Sequence, residues 1–545
     1  MYILIGGAKN TNTQWTTLIH NGPLFPDEYK KHNIPVIINN KKIILKKEAE
    51  EFGTYYARYL DTDYVANPKF NQNFWKDYSK LIMDVIKEEK INNISDIDFS
   101  LIQDYLKKEK EERLNKSKEE KEREKKKRLL IEEPYMICFI DGQQQKVGNY
   151  RIEPPGIFLG RGTHPKIGRI KRRVFPEDVI INIGKESPIP KPNVGGKWKD
   201  VINDRTKIWL ASWIDDITGK TKYVFTSMES LFKEKSDIEK FDLARKLKNK
   251  VKQIREDYNN KIIGNDMKDK QLGLAVYFID KLALRVGTKK DKKETADTVG
   301  VSSLRIEHLF LLENNYIKLD FLGKDSVRYC QKVQVEPDIY KNLEIIYANK
   351  NKKEDLFDKI SSSDINQYLN SFMDGLTAKV WRTFNASYLL QKLLDKINED
   401  KLKNLEENER INYLLGLFHQ ANTEVAILCN HQKNVSSNLE SGIDKMNDRI
   451  KILQKKKNKI QSSNTKDKTN KINKINNKIK LLKLKKETKI KMKNVSLGTS
   501  KTNYIDPRIV FSFIKKFNIP EDKLFTKTLL DRFKWATEVD GKWRF

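Results

Sequence analysis

The chain has 545 residues and a mass of 64.0 kDa. At roughly 100 to 200 residues per domain, this length predicts several domains and excludes a single small module. Lysine and arginine number 106 against 75 aspartate and glutamate, a formal net charge of +31, which favours a polyanionic partner. Because no run of about 18 apolar residues occurs, we expect that partner to be nucleic acid rather than a membrane.

The first residues and the cysteines bear on the compartment in which the protein works. Residues 1–5 lack a basic flank and meet glycines at once, so they do not resemble a secretion signal, and we expect the protein to stay inside the cell. Cys138, Cys330 and Cys429 lie far apart in no paired spacing, which argues against a disulfide framework or a zinc ribbon. We expect these thiols to be buried and reduced.

Two segments stand out by charge. Residues 107–128 hold twelve basic and seven acidic side chains without a wide apolar face. Mixed charge at helical spacing predicts a solvated helix projecting from the body, with a disordered tether as the alternative.

The second segment, residues 445–493, holds nineteen basic and three acidic side chains, hence 19 − 3 = +16. Its apolar residues recur at helical spacing in two runs, from Leu439 to Leu453 and from Ile472 to Leu482, with a polar turn at residues 461–464 between them. Ser437 and Glu440 form the pattern of a capping box at the start of the first run. The pattern predicts an antiparallel helical hairpin with a thin apolar seam and solvent-facing lysines.

The rest of the chain mixes short strand-like runs, at residues 36–45, 207–213, 222–225 and 316–321, with longer helical runs at 271–284, 365–376 and 412–429. This alternation predicts a multidomain protein of the α+β class.

Several familiar motifs fail on inspection. Gly323 and Lys324 do not make a phosphate loop, because Lys318 and Asp325 stand where a glycine and a hydroxyl residue are needed. The dinucleotide pattern that begins at Gly160 has Pro165 in place of its third glycine. Asp96 and Asp98 could bind Mg²⁺, but Ser95 with Asp98 is better explained as a helix cap. We therefore expect no ATP, NAD or metal cofactor.

Five polar residues interrupt segments that are otherwise apolar: Arg285, Lys324, Arg382, His431 and Tyr504. Each has an ordinary structural explanation, as a surface ion pair for the cations, a cap for the histidine and a core position for the tyrosine. The residue pattern alone does not bring them together.

Nine short stretches, in the same order along nearly the whole chain, resemble the eukaryotic-type DNA topoisomerase IB family. This resemblance brings the five polar residues together. These stretches are residues 150–156, 164–166, 171–173, 277–285, 294–300, 321–326, 376–380, 429–432 and 497–501.

The resemblance implies an ATP-independent enzyme that nicks one strand of duplex DNA through a 3′-phosphotyrosyl intermediate, relaxes positive and negative supercoils and religates. It implies that Tyr504 is the nucleophile, that Arg285, Arg382 and His431 bind the scissile phosphate, and that Lys324 is the general acid. It also implies DNA contacts, mostly to the backbone, from Arg161, Lys166, Lys171, Arg172, Arg173, Asp325 and Asn503, and binding of camptothecin-type inhibitors at the cleavage site.

The same resemblance implies a monomer that encircles DNA as a clamp, in the nucleus or in a viral factory or virion. We divide it into an amino-terminal segment (1–28), a mixed cap lobe (29–116), a β-rich core lobe (117–229), a mostly helical catalytic lobe (230–434), the hairpin linker (435–493) and the carboxy-terminal domain with the tyrosine (494–545).

The cationic residues suit this chemistry, because negative charge builds on the two non-bridging oxygens as the phosphorus becomes five-coordinate. The nearest alternative is a strand transferase like the tyrosine recombinases, but no exchange helix follows Tyr504. The second alternative is an inactive architectural DNA-binding protein. Such a protein would be expected to lack at least one of the five catalytic residues.

Overall fold

The computed structural model describes residues 13–348, 350–403, 405–432, 439–462, 468–491, 493 and 495–545. The chain divides into two compact units. Unit 1 comprises the described residues up to Lys233 together with Lys290–Asp297, and unit 2 comprises Glu234–Lys289 and Thr298–Phe545. Both units contain helices and strands, so the predicted mixed α and β class is confirmed.

Unit 1 is built from short strands and five helices. The strands are β1 (Leu18–His20), β2 (Val36–Ile38), β3 (Lys41–Ile43), β4 (Ile137–Ile140), β5 (Gln143–Lys146), β6 (Gly156–Ile157), β7 (Ile170–Lys171), β8 (Ile180–Asn182), β9 (Asp200–Ile202), β10 (Ala211–Ile214) and β11 (Thr221–Val224). The helices are α1 (Lys47–Ala57), α2 (Pro68–Leu81), α3 (Met83–Glu89), α4 (Ser100–Asn115) and α5 (Lys118–Glu132).

Two apolar cores stabilise unit 1. The first packs α1, α2 and the β2–β3 hairpin around stacked aromatic rings, with Tyr56 4.5 Å from Phe74 and Phe74 4.9 Å from Tyr78. The second packs the antiparallel β1–β4–β5 sheet against the β11–β10–β8–β9 sheet, in which only the β8–β9 pair is parallel. Trp15 and Trp213 are buried in that second core.

The charged segment 107–128 is helical, as predicted, but it forms two helices rather than one. Ser117 begins α5 with a capping box, in which its hydroxyl accepts from the Glu120 amide and the Glu120 carboxylate accepts from the Ser117 amide. Lys116 pairs with Glu124 at 2.6 Å across the break.

The acidic pair at Asp96 and Asp98 serves local backbone capping. Asp96 accepts hydrogen bonds from the amides of Asn92 and Asn93, and Asp98 accepts from the Ser100 amide. The predicted cap by Ser95 with Asp98 is wrong in its partner, because Asn93 and Asp96 form the capping box. In the described ranges, no group of three or more His, Cys, Asp or Glu side chains has the arrangement of a metal site.

Unit 2 is mostly helical and contains one antiparallel sheet, formed by β12 (Leu309–Leu312), β13 (Tyr316–Leu322) and β14 (Arg328–Gln334). Its helices are α6 (Leu231–Leu247), of which the first three residues belong to unit 1, and then α7 (Val251–Ile263), α8 (Met267–Leu282), α9 (Pro337–Tyr347), α10 (Ser362–Phe372), α11 (Ala378–Leu394), α12 (Glu407–Leu428), α13 (Leu439–Gln461), α14 (Lys468–Lys491), α15 (Leu497–Asn503), α16 (Pro507–Phe517) and α17 (Lys527–Arg532).

One large apolar core runs through unit 2 and positions its polar site. Helix α8 is buried around nearly its whole circumference, and α11 packs beside it with Trp381 fully buried. Helix α16 buries Ile509, Val510, Phe511, Phe513 and Ile514 in the same core. The ends of α8, α11, α12 and α15 are therefore fixed by packing.

The basic hairpin is confirmed as two long helices, α13 and α14. Gly442 near the start of α13 lies against Lys489 near the end of α14, so the helices are antiparallel. Ile450 and Ile475 are buried in the seam, as the spacing predicts. Of the predicted turn at residues 461–464, only the part up to Ser462 lies within the described residues. Ser437, predicted to cap the first helix, lies outside them.

Helix α14 also packs on α12, which the sequence did not indicate. Gly416 of α12 faces Leu484, and Lys474 and Lys491 pair with Glu406 and Glu424. The hairpin is thus attached to the helix that leads to His431.

The thiols only partly match the expectation. Cys138 and Cys429 are buried, but Cys330 is exposed, so the prediction of three buried thiols is wrong there. All three cysteines are free. Among the described residues, no helix combines the length and apolar character that crossing a membrane requires.

Candidate active site

Tyr504 lies at the carboxyl end of the short helix α15. Its amide donates to the Ser500 carbonyl at 2.9 Å, and Asp506 and Pro507 then begin α16. The Tyr504 side chain is only 8% exposed. The tyrosine therefore has a fixed backbone and faces the interior of unit 2 instead of solvent.

Arg285 reaches Tyr504 from the end of α8. That helix stops at Leu282 because Ala283 adopts the left-handed conformation, with φ at 48°. The following residues leave the helix, and the Arg285 guanidinium donates a hydrogen bond to the Tyr504 hydroxyl at 2.7 Å. A donor on the phenolic oxygen stabilises negative charge there.

Arg382 is buried beneath the ring of Tyr504. It lies on α11 with 5% of its surface exposed, and its guanidinium carbon is 5.0 Å from the centre of the Tyr504 ring. The carbonyl oxygens of Ala283 and Cys429, at the carboxyl ends of α8 and α12, accept its terminal N–H groups. Its Nε has no hydrogen-bond partner in the described structure, so the guanidinium still has a donor to offer.

His431 packs against the same phenol, next to Arg382. Its ring is stacked on that of Tyr504 with centroids 5.3 Å apart, and its Nε2 lies 3.4 Å from a terminal nitrogen of Arg382. Burial, together with the positive charges of Arg382 and Arg285, lowers the pKa of His431 to about 3. The imidazole is therefore neutral at physiological pH.

Lys324 is exposed at the tip between β13 and β14. Asp325 and Ser326 have φ values of 65° and 58°, so the tip is a tight turn with unusual backbone angles. The side chains of Asn430 and Gln432 donate to the Arg328 carbonyl, at 3.3 and 2.8 Å. These bonds connect the loop of His431 to the hairpin of Lys324.

A cavity of about 160 Å³ joins these elements. Four of the five predicted catalytic residues line it, as does Asp325. Tyr504 does not line the cavity itself, but it contacts Arg285, Arg382 and His431. Asn503 is one residue away, and its carbonyl accepts from Lys240 at 3.3 Å.

The other predicted DNA contacts belong to unit 1. Arg161 is exposed. Lys166 donates to the Ile217 carbonyl at 2.7 Å and pairs with Glu294. The next three, Lys171, Arg172 and Arg173, pair with Glu153, Asp178 and Glu51. Arg173 also donates to the carbonyls of Pro26 and Asp27, so its guanidinium is engaged within the fold.

Two serines escaped the sequence reasoning. Ser500 lies 2.7 Å from His431 Nδ1, and Ser387 on α11 donates to the Tyr504 carbonyl at 3.0 Å. Both are fully buried. The spacing of Ser500, one helical turn before Tyr504, was an available signal, whereas nothing in the sequence near Ser387 distinguishes it from a small core residue.

A phenol that contacts two guanidiniums and a neutral imidazole, beside a cavity with an exposed lysine, fits the class of enzymes that transfer a phosphodiester to tyrosine. Comparison with known proteins agrees. The chain matches the eukaryotic DNA topoisomerase I DNA-binding fragment over residues 13–226, the catalytic core of the same enzyme over 229–464, and the C-terminal topoisomerase domain over 476–545.

Individual relatives match nearly the whole chain. DNA topoisomerase 1 of Caenorhabditis elegans is 42% identical over 97% of this chain and 68% of that protein. DNA topoisomerase 1 beta of Arabidopsis thaliana is 41% identical over 98% of this chain and 59% of that protein. DNA topoisomerase 1 of Homo sapiens is 38% identical over 96% of this chain and 71% of that protein. The chain thus belongs to the eukaryotic DNA topoisomerase I family, the type IB topoisomerases, and the resemblance seen in its sequence is confirmed.

Proposed function

We propose that this chain relaxes supercoiled duplex DNA by nicking one strand through Tyr504, allowing rotation and religating. The observation that carries this proposal is the 2.7 Å hydrogen bond from Arg285 to the Tyr504 hydroxyl, inside a contact group that includes Arg382 and His431. A donor in this position can stabilise the charge on the phenolic oxygen as that oxygen attacks phosphorus and later leaves it.

Arg285, Arg382 and His431 bind the scissile phosphate in this proposal. The two guanidiniums carry fixed positive charge at any working pH, and the neutral imidazole supplies one N–H donor. Together they stabilise the charge that develops on the non-bridging oxygens in the transition state. Side-chain cations supply this stabilisation, so we expect relaxation to continue in the presence of a metal chelator.

Lys324 protonates the departing 5′ oxygen. An alkoxide leaves poorly without a proton, and Lys324 is exposed on the hairpin tip that borders the cavity. The phosphotyrosyl bond keeps the energy of the diester, because a phenolate leaves more readily than an alkoxide. The freed 5′ hydroxyl then attacks the phosphotyrosine, and religation needs no ATP.

The same proposal assigns roles to the rest of the chain. A monomer surrounds the duplex as a clamp, and DNA is bound mostly through its backbone by Arg161, Lys166, Lys171–Arg173, Asp325 and Asn503. The helical hairpin, with its net charge of +16, attracts the DNA downstream of the nick and slows its rotation. Camptothecin-type molecules bind at the nick, and the enzyme works in the nucleus or in a viral factory.

We retain the six-part division as part of the proposal, with boundaries after residues 28, 116, 229, 434 and 493. Two of these boundaries fall at breaks in helical structure. Residue 116 lies between α4 and α5, and residue 493 lies between α14 and α15.

Relaxation of negatively and positively supercoiled plasmid in EDTA without ATP tests the proposal. The wild-type chain should relax both forms, and Tyr504→Phe should relax neither. Tyr388→Phe is the matched control, because Tyr388 is an exposed tyrosine of the same unit and its hydroxyl makes no hydrogen bond in the described structure. Relaxation that needs ATP or metal, or an active Tyr504→Phe variant, contradicts the mechanism.

The polarity of attachment is tested by denaturing a reaction on end-labelled DNA. We expect the protein to be trapped on the 3′ end of the nick. Attachment to the 5′ end would exclude the type IB assignment.

A further inference from the structure

His431 is fixed in the site by its backbone as well as by its ring. Its amide donates to the Ala426 carbonyl at 2.9 Å, and its own carbonyl accepts from the Ser496 amide at 2.7 Å. The ring has two polar neighbours. Nδ1 lies 2.7 Å from the Ser500 hydroxyl, and Nε2 lies 3.4 Å from Arg382. Each ring nitrogen therefore faces one group.

These two neighbours differ in what they can do. A guanidinium only donates hydrogen bonds. As long as Arg382 is the only neighbour of Nε2, the favoured form of the ring therefore has no proton on Nε2. A hydroxyl both donates and accepts, so Ser500 can serve either form of the ring. A neutral imidazole has a single N–H, and the position of that proton decides whether Nε2 can donate to a phosphate oxygen.

Ser500 is also bound to the tyrosine segment. Its carbonyl accepts from the amides of Tyr504 and Ile505, both at 2.9 Å, while its hydroxyl faces His431. Ser500 is fully buried, and His431 is the one side chain that its hydroxyl meets in the described structure. One residue thus holds both the backbone of Tyr504 and the ring of His431.

We propose that Ser500 is a positioning residue that sets the tautomer of His431. In the free protein, Nδ1–H donates to Ser500 and Nε2 accepts from Arg382. When a DNA phosphate takes up the Arg382 donors, the Nδ1 proton is released to water and the Ser500 hydroxyl turns to donate to Nδ1. In exchange, Nε2 takes up a proton from water, and the new N–H donates to a non-bridging oxygen. No net proton enters or leaves the ring. This inference rests on the proposed strand-cleaving function.

A double-mutant cycle tests the inference, since glutamine at 431 carries its own N–H donor and has no tautomer to set. Ser500→Ala alone should lower the single-turnover cleavage rate about 10- to 100-fold, the usual effect of losing a partner that orients a ligand. In the His431→Gln background, the same change should cost less than about twofold. DNA affinity should be unchanged in both. Equal losses in the two backgrounds would mean that Ser500 only packs α15, and would overturn the inference.

Ser512→Ala is the matched control, because Ser512 is a buried serine of the carboxy-terminal part whose hydroxyl donates to the Trp543 carbonyl at 3.0 Å. It should cleave at the wild-type rate. If wild-type protein itself fails to relax DNA, the proposed function fails. If wild type relaxes DNA but the cycle is additive, the Ser500 inference alone fails.

Nitrogen NMR gives a second readout that needs neither Ser500→Ala nor His431→Gln. The chain has six histidines, so ¹⁵N-histidine labelling gives a countable spectrum. On uncleaved DNA bound to Tyr504→Phe, the signals of His431 should show the Nε2–H form, and in the free protein the Nδ1–H form. The Nδ1–H form in the DNA complex would overturn the inference.

Discussion

The side-chain hydroxyl of Ser387 donates a hydrogen bond to the carbonyl oxygen of Tyr504 at 3.0 Å. The same hydroxyl accepts from the Asp506 amide at 2.9 Å, so it bridges the turn between α15 and α16. Ser387 lies on α11, which also carries Arg382. A single buried hydroxyl thus connects the backbone of the proposed nucleophile to the helix of a proposed phosphate ligand.

Removing this bridge should slow cleavage without weakening DNA binding. In Ser387→Ala the Tyr504 carbonyl and the Asp506 amide lose their shared partner, and a displacement of about 1 Å at the reacting oxygen is enough to cost roughly 100-fold in rate. We expect the single-turnover rate on a nicking substrate to fall about 10- to 100-fold, with unchanged affinity in a binding titration.

Thr383→Val controls for loss of a buried hydroxyl from the same helix, because the one hydrogen bond of the Thr383 hydroxyl to a described residue goes to the Lys379 carbonyl, one turn earlier. Ser387→Ala should also be less stable to urea than Thr383→Val, because it leaves a buried carbonyl and a buried amide unpaired, and only Ser387→Ala should be slow. A rate loss of the same size in both would show that α11 packing, not the bridge to Tyr504, is responsible.

The rate should show no titration of His431 between pH 5.5 and 8. Burial and the charges of Arg382 and Arg285 hold its pKa at about 3, so the ring is neutral through that range. His431→Gln should therefore lower the relaxation rate by the same factor at pH 6 and at pH 8. A wild-type rate that changes with an apparent pKa near 6.5, and a flat profile in the glutamine variant, would contradict this.

The stability effect of His431 has a definite sign. Its pKa is lower in the folded protein than the ordinary value of 6.5, so unfolding takes up a proton between those two values. The contribution to stability is complete above pH 6.5 and is lost as the pH falls toward 3. His431→Gln should lessen the loss of stability of unit 2 on going from pH 7 to pH 5, as measured by urea unfolding.

Much of this arrangement could be predicted from sequence because it depends on local periodicity. The seam of the basic hairpin and the apolar length of α8 follow from residue spacing alone. Contacts such as Ser387 with Tyr504, 117 residues apart, have no local pattern, since a buried serine looks like any small core residue. The exposure of Cys330 follows from strand parity, because Tyr329 beside it is buried and neighbours on a strand face opposite sides.

The lysines of the hairpin should account for part of the salt dependence of DNA binding. Lys455, Lys456 and Lys459 are exposed on α13, and each phosphate contact contributes about 0.9 to the slope of log K against log salt. Changing all three to glutamine should lower that slope by up to about 3 and increase the number of supercoils removed per nick. Lys527, Lys534 and Lys542 are exposed lysines of the carboxy-terminal part, and their triple variant is the control. A hairpin variant with the wild-type slope would show that the hairpin does not contact DNA.

The carboxy-terminal helix α17 should be held to α6 by a buried ion pair. Arg532 donates to the Asp237 carboxylate at 2.8 and 3.0 Å, and their exposed fractions are 5% and 0%. Removing one partner of such a pair leaves a buried charge and costs about 3 to 5 kcal/mol, although the nearby Lys240, 3.2 Å from Asp237, should keep the loss toward the lower value. Arg532→Met should therefore lower the urea midpoint of unit 2.

The double variant Asp237→Asn with Arg532→Met separates the charge from the packing. It removes both buried charges, and replacing a whole pair is far less costly than breaking one, so we expect it to recover more than half of the stability lost by Arg532→Met. Lys252 with Glu256, an exposed pair on α7 at 3.9 Å, is the control, and Lys252→Met should change the free energy of unfolding by less than about 0.5 kcal/mol. If the double variant is no more stable than Arg532→Met, the loss comes from the packing of the arginine stem and not from the unpaired carboxylate of Asp237.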